Sequence, residues 1–371
     1  TQLVKDNFWG RYLKDSPKTH YDPFQTFIEN NIPKGFRVNF LPSRNDRPRE
    51  QHINFNILDH EEKITKTEID NSTLTKVYRG QSPCVPIAGD DTILGDPDAD
   101  ELMMDFSSFD GISVMNKFAP LGIYSQEATG VATVNIPKIY VRNLQNANAN
   151  YSILRPMRTT LAYLLEGNTY RSDLFAPLAF FNVGPNSGSS IKYLHSQTYA
   201  MPYLSGINSY SFQKTFDQIK ICTACSIISK RTINDHLHQD INYHDLIFWE
   251  DENVIILYPY APFRSMATRI IPKKHVSYIG KATDEMLKSI GIALKITDYL
   301  MNVCSPLSNP LIDRTIAFRQ TTDVRKDFHM IIDVLPPFPT LAAESVDYLG
   351  MTPYNPFEMA NKMKSIDLTK F

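Results

Sequence analysis

Apolar and polar positions along the chain change period from segment to segment. His52-Ile-Asn-Phe-Asn-Ile57 alternates strictly and predicts a half-buried strand. Asn253-Val-Ile-Ile-Leu-Tyr258 is a short, β-branched apolar run, the pattern of a buried strand. Arg269-Ile-Ile271 stands before Pro272, which disfavours helix at the preceding residue and predicts extended chain. The period then lengthens. Thr283-Asp-Glu-Met286 offers an N-cap and an acidic first turn. Leu287, Ile290, Leu294 and Met301 recur at helical spacing to about Val303. A shorter helix is predicted around Pro156, placed in its first turn, with Leu161, Leu164 and Leu165 facing inward. Strands and helices without regular βαβ alternation predict an α+β fold.

The same elements occur twice. Ile136-Pro-Lys-Ile-Tyr140 matches Ile271-Pro-Lys-Lys-His275, Phe118-Ala-Pro120 matches Tyr260-Ala-Pro262, and Phe180 matches Phe318. The offsets are 135, 142 and 138 residues, in the same order along both copies. A duplicated unit with small loop changes accounts for that drift. The expected organisation is an N-terminal extension over 1–75, a first half over 76–205 and a second half over 206–371. Gly- and Ser-rich linkers are absent, so the halves are expected to pack together.

Composition narrows the classes. Of 371 residues, 42% are hydrophobic and 21% charged, as in ordinary globular proteins. A formal net charge of -2 gives no overall pull toward nucleic acid or an anionic membrane, so neither is expected as a partner. No apolar run approaches the roughly 20 residues needed to span a bilayer. Thr1-Gln-Leu-Val-Lys-Asp6 lacks the basic-then-apolar pattern of a signal peptide, and a cytoplasmic protein is expected.

Two constellations carry chemistry. Cys222, Cys225, His275 and His329 form a possible Cys2His2 set, the donor types zinc favours in a tetrahedral shell. The corresponding first-half positions are Cys84, Ile87, Tyr140 and Tyr193, where the spacing persists and three of the four ligands are gone. One structural zinc is therefore expected, in the second half only. The other constellation is Asn182-Val-Gly-Pro-Asn-Ser-Gly-Ser-Ser-Ile-Lys-Tyr-Leu-His-Ser-Gln197. Small residues let backbone N–H groups cradle a phosphate. A histidine aimed into that cradle can attack phosphorus, and an amide can hold the charged oxygens. Lys192 can add a point charge. Arg319, Arg325 and Lys326 surround a second-half loop, while His236-Leu-His238 reads as a solvated pair.

The second constellation resembles a family signature. Asn182, Gly184, Gly188, Ser190, His195 and Gln197 match Asn-x-Gly-x-x-x-Gly-x-Ser-x-x-His-x-His-x-Gln of the galactose-1-phosphate uridylyltransferase branch of the histidine-triad superfamily. The resemblance covers about residues 80–365. Tyr193 replaces the first motif histidine, and Ile331 stands where Phe328-His-Met-Ile-Ile-Asp-Val-Leu-Pro336 would carry the second-half equivalent. The resemblance implies two histidine-triad-like halves with antiparallel sheets and packed helices, and a homodimer. It implies that His195 is a nucleophile forming a nucleotidyl-histidine and that Gln197 holds phosphate oxygens. Asn182, Gly188, Ser189 and Ser190 would bind substrate, and Glu344 falls near a sugar-contact position; Lys192 and Arg319 are further substrate-binding candidates on their charge alone. The implied partners are a nucleotide or sugar nucleotide and a phosphate-bearing acceptor. The implied activity is hexose-1-phosphate uridylyltransferase-like nucleotidyl transfer. Dinucleoside polyphosphate or sugar-nucleotide phosphorolysis uses the same intermediate, and a non-catalytic nucleotide-binding or assembly protein fits the eroded positions.

Overall fold

A computed structural model describes residues 18–29, 32–40, 111–116, 118–122, 125–137, 141–167, 172–203, 221–230, 242–260, 262, 264, 266–304, 313–322, 328–336 and 355–369. The expected strand at His52–Ile57, the remnant positions Cys84, Ile87 and Tyr140, and His236, His238, Arg325, Lys326 and Glu344 lie outside the described residues. Among the described residues, no helix is long and apolar enough to cross a membrane.

The fold is α+β. Strands β1 (Lys18–Glu29) and β2 (Ile32–Phe40) form an antiparallel pair of their own. A nine-stranded sheet takes the rest: β3 (Gly111–Met115), β4 (Val131–Pro137), β5 (Ala176–Val183), β6 (Ser196–Met201), β7 (Ile247–Glu250), β8 (Val254–Leu257), β9 (Thr268–Pro272), β10 (Arg314–Arg319) and β11 (Ile331–Leu335). Its order is β3-β4-β6-β5-β10-β11-β9-β8-β7. Every pairing in it is antiparallel. Read outward from the centre, β5-β6-β4-β3 on one side repeats as β10-β11-β9-β8 on the other. The register repeats too: Gly111 faces Pro137 as Val254 faces Pro272. At the centre Phe180 faces Ala317, so a pseudo-two-fold axis passes between β5 and β10.

Two equivalent helices cover one face of the sheet. Helix α1 (Ala147–Ala162) lies between β4 and β5, and α3 (Asp284–Cys304) lies between β9 and β10. They meet where Asn150 donates from Nδ2 to the carbonyls of Leu144 (2.8 Å) and Gly291 (3.0 Å). Pro156 sits inside α1, well past its first turn: Asn146 caps the helix by accepting from Ala149 N. The Asn-Ala repeat around residue 147 extends the helix upstream of the apolar pattern. Leu161 and Leu164 are buried, and α3 buries Leu287, Ile290, Leu294 and Met301. Alternation on β10 divides its side chains. Ile316 and Phe318 enter this helix-covered core, where Phe318 stacks on Phe181 with centroids 6.2 Å apart. Thr315, Ala317 and Arg319 point to the opposite face. Short helices α2 (Thr223–Ile228) and α4 (Pro356–Lys364) border the second half.

Candidate active site and metal centre

His195 and Gln197 lie on the face opposite α1. Residue parity along β6 sends Gln197, Tyr199 and Met201 there, and sends Ser196 and Thr198 toward α1. Beneath the strand, Asn135 Nδ2 donates to Ser196 Oγ (2.9 Å) and Thr198 Oγ1 (2.7 Å). Thr160 Oγ1 donates to Ser113 Oγ (2.6 Å), which in turn donates to Asn135 Oδ1. This buried polar network fixes β6 from behind, and a partly broken one would be costly.

His195 is only 4% exposed. Its Nδ1 lies 2.8 Å from the backbone carbonyl of Tyr193. A carbonyl can only accept, so Nδ1 carries a proton, and in the neutral ring the lone pair is on Nε2. Gln197 is oriented in a similar way. Its Oε1 accepts from Asn116 Nδ2 (3.2 Å) and Tyr199 Oη (3.0 Å), which presents the NH2 as the donor end. Asn116 is itself held, accepting from Phe118 N (3.0 Å). Phe180 meets Tyr199 edge to face at 5.3 Å between centroids.

The loop between β5 and β6 turns at two left-handed glycines, Gly184 (φ +80°) and Gly188 (φ +87°). A Cβ on Gly184 would fall 2.2 Å from Asp313 Oδ1, so a side chain there is excluded by conformation and by space. Asp313 closes the loop from the second half. Its Oδ1 accepts from Asn186 N (2.8 Å) and its Oδ2 from Asn186 Nδ2 (2.9 Å). Ser189 shapes the loop from within: its hydroxyl donates to Ile191 O (2.6 Å) and its N–H to Gly184 O (3.3 Å). The Ser190 hydroxyl is buried without a protein partner. Asn182 faces the same loop, its Nδ2 being the nearest atom (3.9 Å) to a Cβ placed on Gly188. Lys192 Nζ and Arg142 Cζ lie 5.6 Å and 5.5 Å from the ring centroid of Tyr193, which is 2% exposed.

Arg319 stands elsewhere. It lies at the far end of β10 from the loop, about 17 Å along the strand from Arg314 at roughly 3.4 Å per residue. Arg319 Nε donates to Asp333 Oδ2 (3.2 Å), and Arg269 Nε donates to Asp333 Oδ1 (2.7 Å). Burial pushes the Asp333 carboxyl up, but the two guanidinium groups outweigh it and hold the group below the usual carboxylate range.

The second constellation also comes together. Ligand atoms of Cys222, Cys225, His275 and His329 all lie within 4.8 Å of one another. Cys225 Sγ is 3.3 Å from His275 Nδ1 and 3.4 Å from His329 Nδ1, and Cys222 Sγ is 3.6 Å from His329 Nδ1. Metal bonds of about 2.3 Å to sulfur and 2.1 Å to nitrogen put tetrahedral neighbours about 3.6 Å apart, so the four residues fit a tetrahedral ion. Cys222 also caps α2, its Sγ accepting from Cys225 N (3.4 Å). His329 Nε2 donates to Pro272 O (2.7 Å), the outer hydrogen bond that orients a metal-binding imidazole. Burial drives the His329 pKa down to about 4, against the Pro272 bond and with help from His275. The ring is neutral at pH 7, as a ligand must be.

No family model matches the chain, and no curated protein matches it in sequence. Solved structures do match it in three dimensions. One is a uridylyltransferase, with 18% identity and a TM-score of 0.57 over 69% of this chain and 84% of that one. The chain has the uridylyltransferase fold. A GalT-like protein from Arabidopsis thaliana shares that fold at 17% identity and a TM-score of 0.58, over 70% of this chain and 84% of the other. An ADP-glucose phosphorylase from Arabidopsis thaliana, solved with bound ADP-glucose, matches at 17% identity and a TM-score of 0.61, covering 95% of this chain and 100% of its own. The shared fold agrees with the one that the signature implied.

Asn116, Tyr199, Arg142 and Asp313 were not singled out from sequence. Asn116 contacts Gln197 from 81 residues away, and Asp313 contacts Asn186 from 127 residues away. Only the fold connects them. Tyr199 alone carried a local signal, two residues from Gln197 on a strand and therefore on the same face.

Proposed function

We propose that the protein is a nucleotidyltransferase that moves a nucleoside monophosphate from a nucleoside diphosphate sugar to a phosphate-bearing acceptor through His195. The observation that carries this reading is the bond from His195 Nδ1 to Tyr193 O, which fixes the tautomer a nucleophilic imidazole needs. In the first step the Nε2 lone pair attacks the α-phosphorus. An N–P bond forms, the P–O bond to the β-phosphate breaks, and the sugar phosphate leaves with that electron pair. The ring becomes positively charged, and the Tyr193 carbonyl stabilises it through Nδ1–H. In the second step an acceptor phosphate oxygen attacks phosphorus and the N–P electron pair returns to Nε2.

The other residues serve charge and position. The Gln197 NH2 donates to the oxygens that gain charge at phosphorus. Ser190 offers an unpartnered hydroxyl at the same loop. Asn182 and Lys192 stand beside the loop to hold the nucleotide, and Ser189 keeps its shape. We assign zinc to the Cys2His2 cluster, on its donor set and tetrahedral spacing. Its four protein ligands close the shell, so its role is structural.

Intact-protein mass spectrometry with a panel of nucleotide sugars tests the proposal. One donor should add the mass of a nucleoside monophosphate as an acid-labile adduct, absent from His195→Ala. Chase with hexose 1-phosphate or with inorganic phosphate separates transfer from phosphorolysis. Failure of every donor to label the folded protein would overturn the reading.

A further inference from the structure

The two halves contain the same backbone strap. In the second half, Met330 N–H donates to Val276 O at 2.7 Å. In the first, Leu194 N–H donates to Val141 O at 2.7 Å. Val276 and Met330 directly follow His275 and His329, so the second-half strap is flanked by the Cys2His2 cluster. Leu194 directly follows Tyr193, the position equivalent to His329. Tyr193 has no imidazole to offer a metal. It is nonetheless buried, and Arg142, the residue after Val141, sets its guanidinium carbon 5.5 Å from the ring centroid. Residues 141 and 142 thus grip residues 194 and 193 in turn, one through the backbone and one through a cation–π contact. Lys192 adds a second cation 5.6 Å from the same ring.

Residues 191–195 belong to no helix or strand, so this grip bears on a segment without ladder hydrogen bonds. The Tyr193 carbonyl is also the acceptor that keeps the ring proton of His195 on Nδ1. We propose that the Arg142–Tyr193 contact takes the place of a metal bridge in the first half, and that it positions His195 through the Tyr193 carbonyl. Arg142 and Tyr193 are positioning residues on this account. The proposal rests on His195 acting as the nucleophile, and it makes the nucleophile's half independent of metal.

The test compares Tyr193→Phe, Tyr193→Leu and Arg142→Met with wild type in the metal-loaded full chain. Two readouts are taken: the rate of adduct formation on His195, and the tautomer of His195 from its ring 15N shifts, assigned with His195→Gln. Tyr193→Phe keeps the ring and should stay within about threefold of wild type, whereas losing the cation–π contact should slow the adduct roughly tenfold. Tyr193→Leu and Arg142→Met should both show that loss, with part of His195 moving to the Nε2-protonated form. Arg142 is only half-buried, so Arg142→Met provides a folded variant should Tyr193→Leu unfold. Wild-type tautomer and wild-type rate in folded Arg142→Met would overturn the inference, as would a lower melting temperature with both readouts unchanged. If wild type itself forms no adduct, the proposed function fails, and the tautomer shift still decides this inference alone.

Discussion

At the residue scale, the site depends on which end of each polar group is already occupied. His195 and Gln197 could be named from sequence because their spacing in the loop is local. Their working orientations could not, because the Tyr193 carbonyl, Asn116 and Tyr199 that set them are a backbone atom and two fold-dependent side chains. Asp313 is the clearest case. It sits at the start of β10, yet it holds the loop of the other half through two hydrogen bonds to Asn186. Its neighbour Arg314 is fully buried, with Nε 2.9 Å from Asp298 Oδ1, and donates from Nη1 to the Asp313 carbonyl (2.8 Å). The loop therefore leans on a rigid post. Hydrogen bonds to a charged group are worth about 1.5–3 kcal/mol each, toward the lower end here because Asn186 is exposed. Asp313→Ala should weaken donor binding by about tenfold or more at that magnitude. Asp313→Asn, which keeps an acceptor for Asn186 N–H, should recover much of it. The check is donor Kd by calorimetry beside the rate of adduct formation. Equal binding by wild type and a folded Asp313→Ala would show that the loop holds its shape unaided.

At the element scale, the repeat was legible because it is written in hydrophobic pattern and turn residues, and both survive duplication. The helix over residues 284–304 was legible for the same reason, its cap and apolar spacing agreeing. Helix α1 was legible in its inward-facing leucines but not in its start. Pro156 suggests a first turn, whereas tertiary packing against α3 carries the helix through it. Element pairing across the sheet has no sequence period of its own, so the ties between β9, β10 and β11 were hidden. Asp333 on β11 takes Arg269 from β9 and Arg319 from β10, a third contact layer beside two hydrogen-bonded ladders. Its folded pKa is lowered by those cations, net of burial. The ionised form therefore stabilises the fold above the unfolded carboxylate pKa of about 3.9, and that contribution disappears as pH falls below it through the folded value. Asp333→Asn should melt well below wild type at pH 7. The gap should narrow as pH drops through the carboxylate range, because wild type alone loses the charge. Thermal melts from pH 7 down to the acid limit of folding measure it, and a gap constant with pH would refute the ion triad as the cause.

At the scale of the whole molecule, one sheet joins two halves of repeated strand order that carry different side chains at equivalent positions. The first half carries the glycine- and serine-rich loop and His195. The second carries the Cys2His2 cluster, with Ile331 at the position equivalent to His195. Because β5 pairs with β10 and one apolar core spans α1 and α3, loss of order in either half must be felt in the other. The cluster brings α2 to the segments flanking β9 and β11, so an ion bound there would tie these second-half elements together and its removal should loosen them. A chelator should therefore lower the melting temperature of the entire chain in a single transition. A shift of several degrees corresponds to roughly 2–5 kcal/mol for a chain this large. Acid should act in the same direction, since protonated imidazoles release metal. The chemistry should respond differently. His195 is oriented by Tyr193 O, and Tyr193 is gripped by Arg142 rather than by an ion, so adduct formation per folded molecule at 25 °C should survive chelation nearly unchanged. Melting curves and adduct rates measured on the same chelated sample separate the two. A chelated protein that melts like wild type would remove the structural ion. One that stays folded but no longer labels His195 would mean that the second half reaches the nucleophile through more than the shared core.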